Sequence, residues 1–323
     1  MNGRVLAHGR DPYFPPWPDV AQLNAFDRGL RDATAAVLGD IGEQCDGIRC
    51  DMAMLLTNEV FAGTWGRHVG PAPDEEFWPY VLGRVRERHP GIVMIAEAYW
   101  DMEWTLQRQG FDHCYDKRLY DRLAGEDAES VRKHLAADRD YQDGLLRFLE
   151  NHDEPRAATV LPGGRGRAAA VAIATLPGAT LWHDGQFEGR RTRLPVFLAR
   201  FPDEPADPDS VSFHRGLLSA AGSIRRGEWR MLETRGWPDN PSHRELLTWA
   251  WHGETPRTVV VINFSDQPAQ ARVELPWPGL AGRSWQLTDL LDGRIFTRDG
   301  DELAGGGLFV DLPPWGIHVV TLR

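Results

Sequence analysis

Three acidic residues, Asp51, Glu97 and Asp153, stand at the ends of short apolar runs that are typical of buried strands. Residues at the carboxyl ends of parallel strands meet at one rim, where barrel enzymes assemble their active sites. Glycoside hydrolysis requires a nucleophile and an acid/base around one bond, and paired carboxyl groups supply both. A third carboxylate can stabilise the positive charge that develops on the sugar ring. The pattern therefore predicts glycosidase chemistry.

Asp51 follows Arg49 by two residues, so both side chains face the same side of a strand. A neighbouring cation keeps a carboxylate ionised, which suits a nucleophile. A structural ion pair remains the alternative, although a buried pair is weak evidence of stability.

Glu97 closes a five-residue apolar run, Ile92–Ala96. Such surroundings are expected to raise the pKa of the carboxyl group, which suits a general acid. The alternative is an exposed glutamate that caps the strand.

His152 and Asp153 lie in a polar stretch, Glu150–Glu154, that follows a third apolar run. A metal site is an alternative there, but adjacent strand residues face opposite ways, which disfavours a shared metal. Of the aromatic residues near the strand ends, Trp65 and Tyr99 are the best candidates to stack on a sugar. Core packing is their alternative role.

Apolar runs alternate with helix patterns in the first part of the chain, which indicates parallel strands joined by crossover helices. The predicted strands are Gly47–Leu56, Gly91–Ala98, Leu145–Glu150 and Ala179–His183, with Asp112–Tyr115 as a weaker fifth. The predicted helices are Asp74–His89, Met102–Gln109, Asp127–Ala137, Arg165–Thr175 and Asp209–Arg226.

Short β-type runs separated by Pro and Gly follow, and they indicate an antiparallel β-sandwich. The runs are Leu246–His252, Thr258–Phe264, Ala271–Leu275, Ser284–Asp289, Leu308–Leu312 and Ile317–Leu322. We therefore expect a catalytic domain over residues 1–230 and a C-terminal domain over residues 231–323.

Several of these segments resemble conserved blocks of glycoside hydrolase family 13, the α-amylase family. The segments are Gly47–Ala53, Ala96-Glu97, Glu150–Asp153, Leu181–Gln186 near an eighth strand, and Leu312–Gly316 near the end of a β-domain. The resemblance implies a (β/α)8 TIM-barrel type followed by an all-β antiparallel sandwich.

The resemblance also implies a role for each residue. Asp51 is similar to the family's nucleophile, Glu97 to its acid/base and Asp153 to its transition-state stabiliser. Arg49 is similar to the partner of the nucleophile and His152 to a sugar-binding histidine. The implied activity is that of a retaining hydrolase or transglycosylase. It acts on α-glucosidic bonds of an α-glucan or α-glucoside through a covalent glycosyl-enzyme intermediate.

The chain departs from the family pattern in two respects. Met54 and Leu55 stand where the family often has Lys-His, so an ordinary starch chain is not the expected occupant of the aglycone side. The family's Asp-x-x-x-Asn-His block is absent, so we expect an incomplete barrel of about strands 4 to 8.

An incomplete barrel exposes apolar edges at Gly47–Leu56 and Ala179–His183, and such edges promote aggregation. We expect the chain alone to be insoluble, or open and without activity, and the missing strands to restore both properties. The alternative function is a catalytically inactive, truncated carbohydrate-binding or interaction protein.

Composition narrows the other possibilities. The formal net charge of -11 argues against a nucleic-acid partner, and no apolar run is long enough to cross a membrane. Three Cys without regular spacing predict neither disulfides nor a metal quartet. Met1–Arg4 leads into no secretory signal, so a cytoplasmic location is expected. No cofactor is expected, and calcium stays open because a usual ligand block of the family is absent.

Overall fold

The computed structural model describes residues 5–198, 200–253 and 257–323. Met1–Arg4, the segment from which we predict no secretory signal, lies outside the described residues. Two compact units emerge: Met1–Asp116 with Gly144–Leu146, and Lys117–Asp143 with Arg147–Arg323. The domain boundary at residue 230 stays a prediction.

Strands and helices alternate in the first two thirds of the described chain, and strands dominate the rest. The strands are β1 (His8–Gly9), β2 (Trp17–Ala21), β3 (Gly47–Cys50), β4 (Val93–Ala96), β5 (His113–Tyr115), β6 (Leu145–Arg147), β7 (Ala179–Thr180), β8 (Glu228–Met231), β9 (Thr234–Arg235), β10 (Leu246–His252), β11 (Arg257–Asn263), β12 (Ala269–Val273), β13 (Ser284–Asp289), β14 (Ile295–Asp299), β15 (Leu308–Leu312) and β16 (Ile317–Leu322). The α-helices are α1 (Arg28–Gly42), α2 (Asn58–Trp65), α3 (Phe77–Arg88), α4 (Glu103–Arg108), α5 (Lys117–Gly125), α6 (Ala128–Leu135), α7 (Arg139–Asp143), α8 (Ala157–Val160), α9 (Gly164–Thr175), α10 (Pro208–Ile224) and α11 (Gly300–Gly306). Short 3₁₀ helices cover Ala53–Leu56, Gly66–His68 and Ser242–Glu245.

The first five predicted strands form a sheet in the order β3-β4-β5-β6-β7. Strands β3, β4, β5 and β6 pair in parallel, as the crossover helices predicted. Gly47 permits the close approach of β3 and β4, because a Cβ atom there would lie 2.9 Å from the Val93 carbonyl oxygen. The predicted extension of the first strand to Leu56 is wrong. Met52 adopts a left-handed φ of 43°, and a 3₁₀ helix follows instead.

The first unit has its own hydrophobic core, built mainly by α3 and the strands β3 and β4. Helix α3 buries six side chains, including Trp78 and Tyr80, which accounts for its apolar face. Helix α1 was not predicted, because Arg31, Ala35 and Gly39 are the residues that it buries and they make a weak apolar stripe. Its N-terminus is capped by Asp27, which accepts the backbone N–H of Leu30.

The second unit contains helices α9 and α10 and an antiparallel sandwich. One sheet has the order β14-β13-β16-β11-β10-β8 and the other β15-β12-β9. Alternate residues of both sheets, such as Val259 and Val261 with Ala271 and Val310, share one buried cluster. The fold is therefore an incomplete barrel-type α/β sheet with an all-β sandwich, as the sequence predicts. Four β-runs, β10, β13, β15 and β16, keep their predicted bounds.

Candidate active site

Asp51 lies directly after β3 in the first unit, where the strand turns into the 3₁₀ helix. Its side chain is 76% exposed, and its Oδ1 atom lies 2.5 Å from Nη1 of Arg49. Arg49 is half-buried on the strand itself, and its guanidinium lies over the ring of Tyr115 at 5.4 Å. The carboxylate is therefore accessible to a ligand while a strand-borne cation holds it in place.

Glu97 lies directly after the neighbouring strand β4, and its side chain is 4% exposed. Its Oε1 atom lies 3.1 Å from Nη2 of Arg49 and accepts the hydroxyl of Tyr99 at 3.0 Å. The backbone N–H of Met52 donates to Oε2 at 2.7 Å. A single guanidinium thus pairs with the exposed Asp51 and the buried Glu97.

The environment of Glu97 favours its protonated form more than water would. Burial raises the pKa of Glu97, against the opposing effects of the Met52 N–H and the Arg49 charge. A carboxyl group with a raised pKa keeps its proton to higher pH than an ordinary glutamate, which suits a general acid. The sequence-based expectation for the pKa of Glu97 thus agrees with its surroundings.

Backbone hydrogen bonds fix the two carboxyl groups relative to each other. The N–H of Glu97 donates to the Cys50 carbonyl at 3.0 Å, and the N–H of Ala53 donates to the Glu97 carbonyl at 3.1 Å. Sequence reasoning missed the roles of Met52 and Tyr115. The weak fifth strand hinted at Tyr115, but no local signal marks a backbone N–H donor.

A cavity of about 330 Å³ in the first unit has Asp51 in its wall. Its lining includes Trp17, Leu55, Leu56 and Trp65. Most of this wall is apolar, and Arg10, Gln22 and Thr64 are its polar members beside Asp51. Met54, the other residue at the family's Lys-His positions, is fully buried and does not reach the cavity.

Trp65 reaches this cavity, but part of its ring is already covered. The guanidinium of Arg10 lies over the ring at 5.1 Å and donates to the Thr64 carbonyl oxygen. Phe61 contacts the same ring at a centroid distance of 6.4 Å. A ligand that stacks on Trp65 would therefore use the part of the ring that Arg10 leaves open.

The segment after Glu97 has an unusual backbone. Trp100 and Asp101 both adopt left-handed conformations, with φ angles of 61° and 60°. Such conformations cost non-glycine residues roughly 1–3 kcal/mol each and cluster at functional sites. The ring of Trp100 packs edge-on against Tyr13 at 4.9 Å, which helps to hold this segment.

His152 and Asp153 belong to the second unit. Asn151 is buried, and its Oδ1 accepts the backbone N–H groups of Asp153 and Glu154 at 2.9 Å each. This turn holds Asp153 with its carboxylate 3.0 Å from Nε2 of His152, and both side chains are about half exposed. Within the described ranges, no group of three or more His, Cys, Asp or Glu side chains could hold a metal ion.

The predicted site residues therefore fall into two sets. Arg49, Asp51, Glu97 and Tyr99 contact one another in the first unit, and Trp65 lines the cavity beside Asp51. His152 and Asp153 contact each other in the second unit. The assembly of both sets into one site stays a prediction.

Similarity to known proteins adds a second line of support for the resemblance that the sequence predicts. No family model matches the chain. α-Amylase MalA of Haloarcula japonica is 27% identical over 304 residues, which are 90% of this chain and 41% of MalA. The chain therefore spans less than half the length of this curated relative.

Solved structures share the fold. The maltogenic α-amylase AmyB of Thermotoga neapolitana matches with a TM-score of 0.70 and 19% identity, over 96% of this chain and 69% of AmyB. The acarbose-soaked debranching enzyme of Nostoc punctiforme also gives 0.70, with 17% identity, over 99% and 68% of the two chains. An α-amylase of Geobacillus thermoleovorans in complex with acarbose gives 0.69, with 17% identity, over 94% and 66%.

No helix in the described part of the chain is long and apolar enough to span a membrane. The parallel sheet and the similarity to MalA both agree with the fold that the sequence predicts. The chain is thus similar to α-amylases, and its predicted resemblance to glycoside hydrolase family 13 is confirmed.

Proposed function

We propose that this chain carries the catalytic carboxyl groups of a retaining glycosidase that acts on α-glucosidic bonds. One observation carries the proposal: the guanidinium of Arg49 pairs with an exposed Asp51 and a buried Glu97. The exposed carboxyl group suits a nucleophile, and the buried one suits a general acid. One cation holds both groups in place.

The geometry supports a two-step reaction. Glu97 donates its proton to the glycosidic oxygen, and that oxygen leaves with the aglycone. Asp51 attacks the anomeric carbon through Oδ2, because Arg49 holds Oδ1. The resulting glycosyl ester on Asp51 is then displaced by water or by a sugar hydroxyl, which gives its proton to Glu97.

We assign Asp153 to the stabilisation of the positive charge on the sugar ring, and His152 to a hydrogen bond with a sugar hydroxyl. The buried Asn151 supports both assignments, because its turn fixes the backbone that carries Asp153. Tyr99 is assigned to positioning Glu97, since its hydroxyl donates to that carboxyl group.

The substrate we propose is an α-glucan or α-glucoside. MalA is named an α-amylase, and two of the similar structures contain acarbose. The apolar cavity beside Asp51 has Leu55 where the family often has a histidine, which favours a short or apolar substituent there over a long glucan chain.

The stereochemistry of the product tests the mechanism. For this test the chain is joined to an added N-terminal segment designed to supply the barrel strands that the sequence analysis expects before β3, and we call this protein the completed chain. We expect ¹H NMR to show the α-anomer of the released sugar before mutarotation, because two displacements restore the configuration. A β-anomer as first product would contradict the retaining assignment. Binding of maltose without turnover would favour the non-catalytic alternative.

Replacing Trp65 by Ala should raise KM about tenfold and leave kcat nearly unchanged, because stacking binds substrate and transition state alike. Steady-state kinetics of the completed chain with maltotriose check this. Trp104→Ala is the control, since Trp104 is exposed and does not line the cavity. A lower melting temperature with unchanged KM would show that Trp65 only packs against Phe61 and Arg10.

A further inference from the structure

The second unit contains a separate cavity of about 480 Å³. It is bounded by the beginnings of α9 and α10, by Gln186, Gly189 and Arg191, and by residues 204–207. Neither His152 nor Asp153 lines it, so it is distinct from the cluster that those residues form. Its volume lies in the range of small-molecule sites.

Gln186 lines this cavity and has an unused hydrogen-bond donor. The residue is 5% exposed, and its Oε1 atom accepts the backbone N–H of His183 at 3.2 Å. Its Nε2 atom is buried and has no hydrogen-bond partner among the described residues. Buried donors are almost always paired in native proteins, so an unpaired one on a cavity wall indicates a ligand or bound water.

His214 supplies a hydrogen-bond acceptor at the same cavity. Its Nδ1 atom lies 2.9 Å from the Ser210 carbonyl oxygen, which can only accept. Nδ1 therefore carries the proton, and Nε2 is the acceptor of the neutral ring. Burial lowers the pKa of His214, which keeps the ring neutral at physiological pH. Phe187 stacks on the ring at 5.2 Å and fixes its orientation.

The charges around the cavity balance. Arg167 and Arg191 line it, and so do Glu204 and Asp207. Glu204 accepts the backbone N–H groups of Arg191 and Thr192 at 2.6 and 3.2 Å, so its carboxylate is fixed in the wall. Asp207 accepts the N–H groups at the start of α10. An anion would meet these two carboxylates, and a cation would meet the two guanidinium groups.

We propose that this cavity binds a neutral polyhydroxylated molecule of hexose size. Gln186 Nε2 donates to one hydroxyl group of the ligand, and His214 Nε2 accepts from another. Arg191 donates to the ligand from the cavity mouth. Hydroxyl groups both donate and accept, so such a ligand satisfies both side chains without bringing a net charge. The proposal does not depend on catalysis by Asp51 and Glu97.

Binding of D-glucose, followed by ¹⁹F NMR of the completed chain labelled with 5-fluorotryptophan, tests the proposal. Trp182 packs edge-on against His214 at 5.8 Å, so its resonance, assigned with Trp182→Phe, reports on this cavity. We expect a saturable shift of that resonance. Gln186→Glu keeps an oxygen for the His183 N–H but removes the donor, and should weaken binding about tenfold.

Arg191→Met provides a second variant. The fold tolerates it because the Arg191 side chain is exposed and the backbone N–H of residue 191 still donates to Glu204. It should also weaken glucose binding about tenfold. Arg193→Met is the matched control, since Arg193 is exposed nearby but does not line the cavity. The proposal is overturned if the Trp182 resonance does not respond, or if both variants bind glucose like the parent. Tighter binding of glucose 6-phosphate than of glucose would also overturn it, because it would mark an anion site.

Discussion

Replacement of Asp51 by Asn is expected to lower kcat/KM of the completed chain by more than about 10³-fold. The amide oxygen of Asn is too weak a nucleophile to form the glycosyl ester, and it loses the charge that Arg49 holds. Because the Asp51 side chain is 76% exposed, the exchange leaves the hydrophobic core intact. Kinetics with maltotriose and with α-glucosyl fluoride measure the loss, and a thermal melt verifies that the fold is unchanged.

The control for this variant is Asp46→Asn, an exposed aspartate that precedes β3 and lies outside the cavity. Its kcat/KM should stay within about twofold of the parent. In Asp51→Ala, sodium azide should occupy the vacated space and form a glycosyl azide of inverted configuration, because it replaces the missing nucleophile. Residual activity of Asp51→Asn within about tenfold of the parent would rule out Asp51 as the nucleophile.

Replacement of Glu97 by Gln is expected to slow turnover of maltotriose by roughly 10²–10⁴-fold, and to affect α-glucosyl fluoride much less. The sugar leaving group needs a proton, whereas fluoride leaves readily without one. The pH profile gives an independent signature. Activity of the parent should fall as pH rises through the pKa of Glu97, and burial places that fall above the usual glutamate range. We call this fall in activity at high pH the basic limb, and the Glu97→Gln variant should lack it.

Two further variants make the Glu97 experiment decisive. Tyr99→Phe removes a hydroxyl that stabilises the charged form of Glu97, so the basic limb should move to higher pH. Glu87→Gln, on the exposed face of α3, should leave rate and pH profile unchanged. Equal losses on both substrates, with the basic limb retained, would argue against Glu97 as the acid.

The sequence by itself determined the β-sandwich and the order of the carboxyl groups. Strands such as Ser284–Asp289 kept their predicted bounds because alternation between buried and exposed residues is a local property. Asp51 and Glu97 were proposed as site residues for the same reason, since each ends an apolar run that must be buried. The weak stripe of α1 shows the limit of this reasoning, because its packing rather than its pattern makes it a helix.

Only the tertiary structure decided how these residues meet. Three contacts join residues that are 45 or more positions apart in the chain. Arg49 pairs with Glu97, the N–H of Met52 donates to the same carboxyl group, and the guanidinium of Arg10 lies over Trp65. The left-handed turn at Met52 ended a strand that its apolar neighbours would have continued. Local patterns specify which residues are buried, but the partner of a buried polar group depends on how separate elements pack. For that reason the sequence predicted the apolar surroundings of Glu97 and the proximity of Arg49 to Asp51, but not the contacts that Arg49 and Met52 make with Glu97.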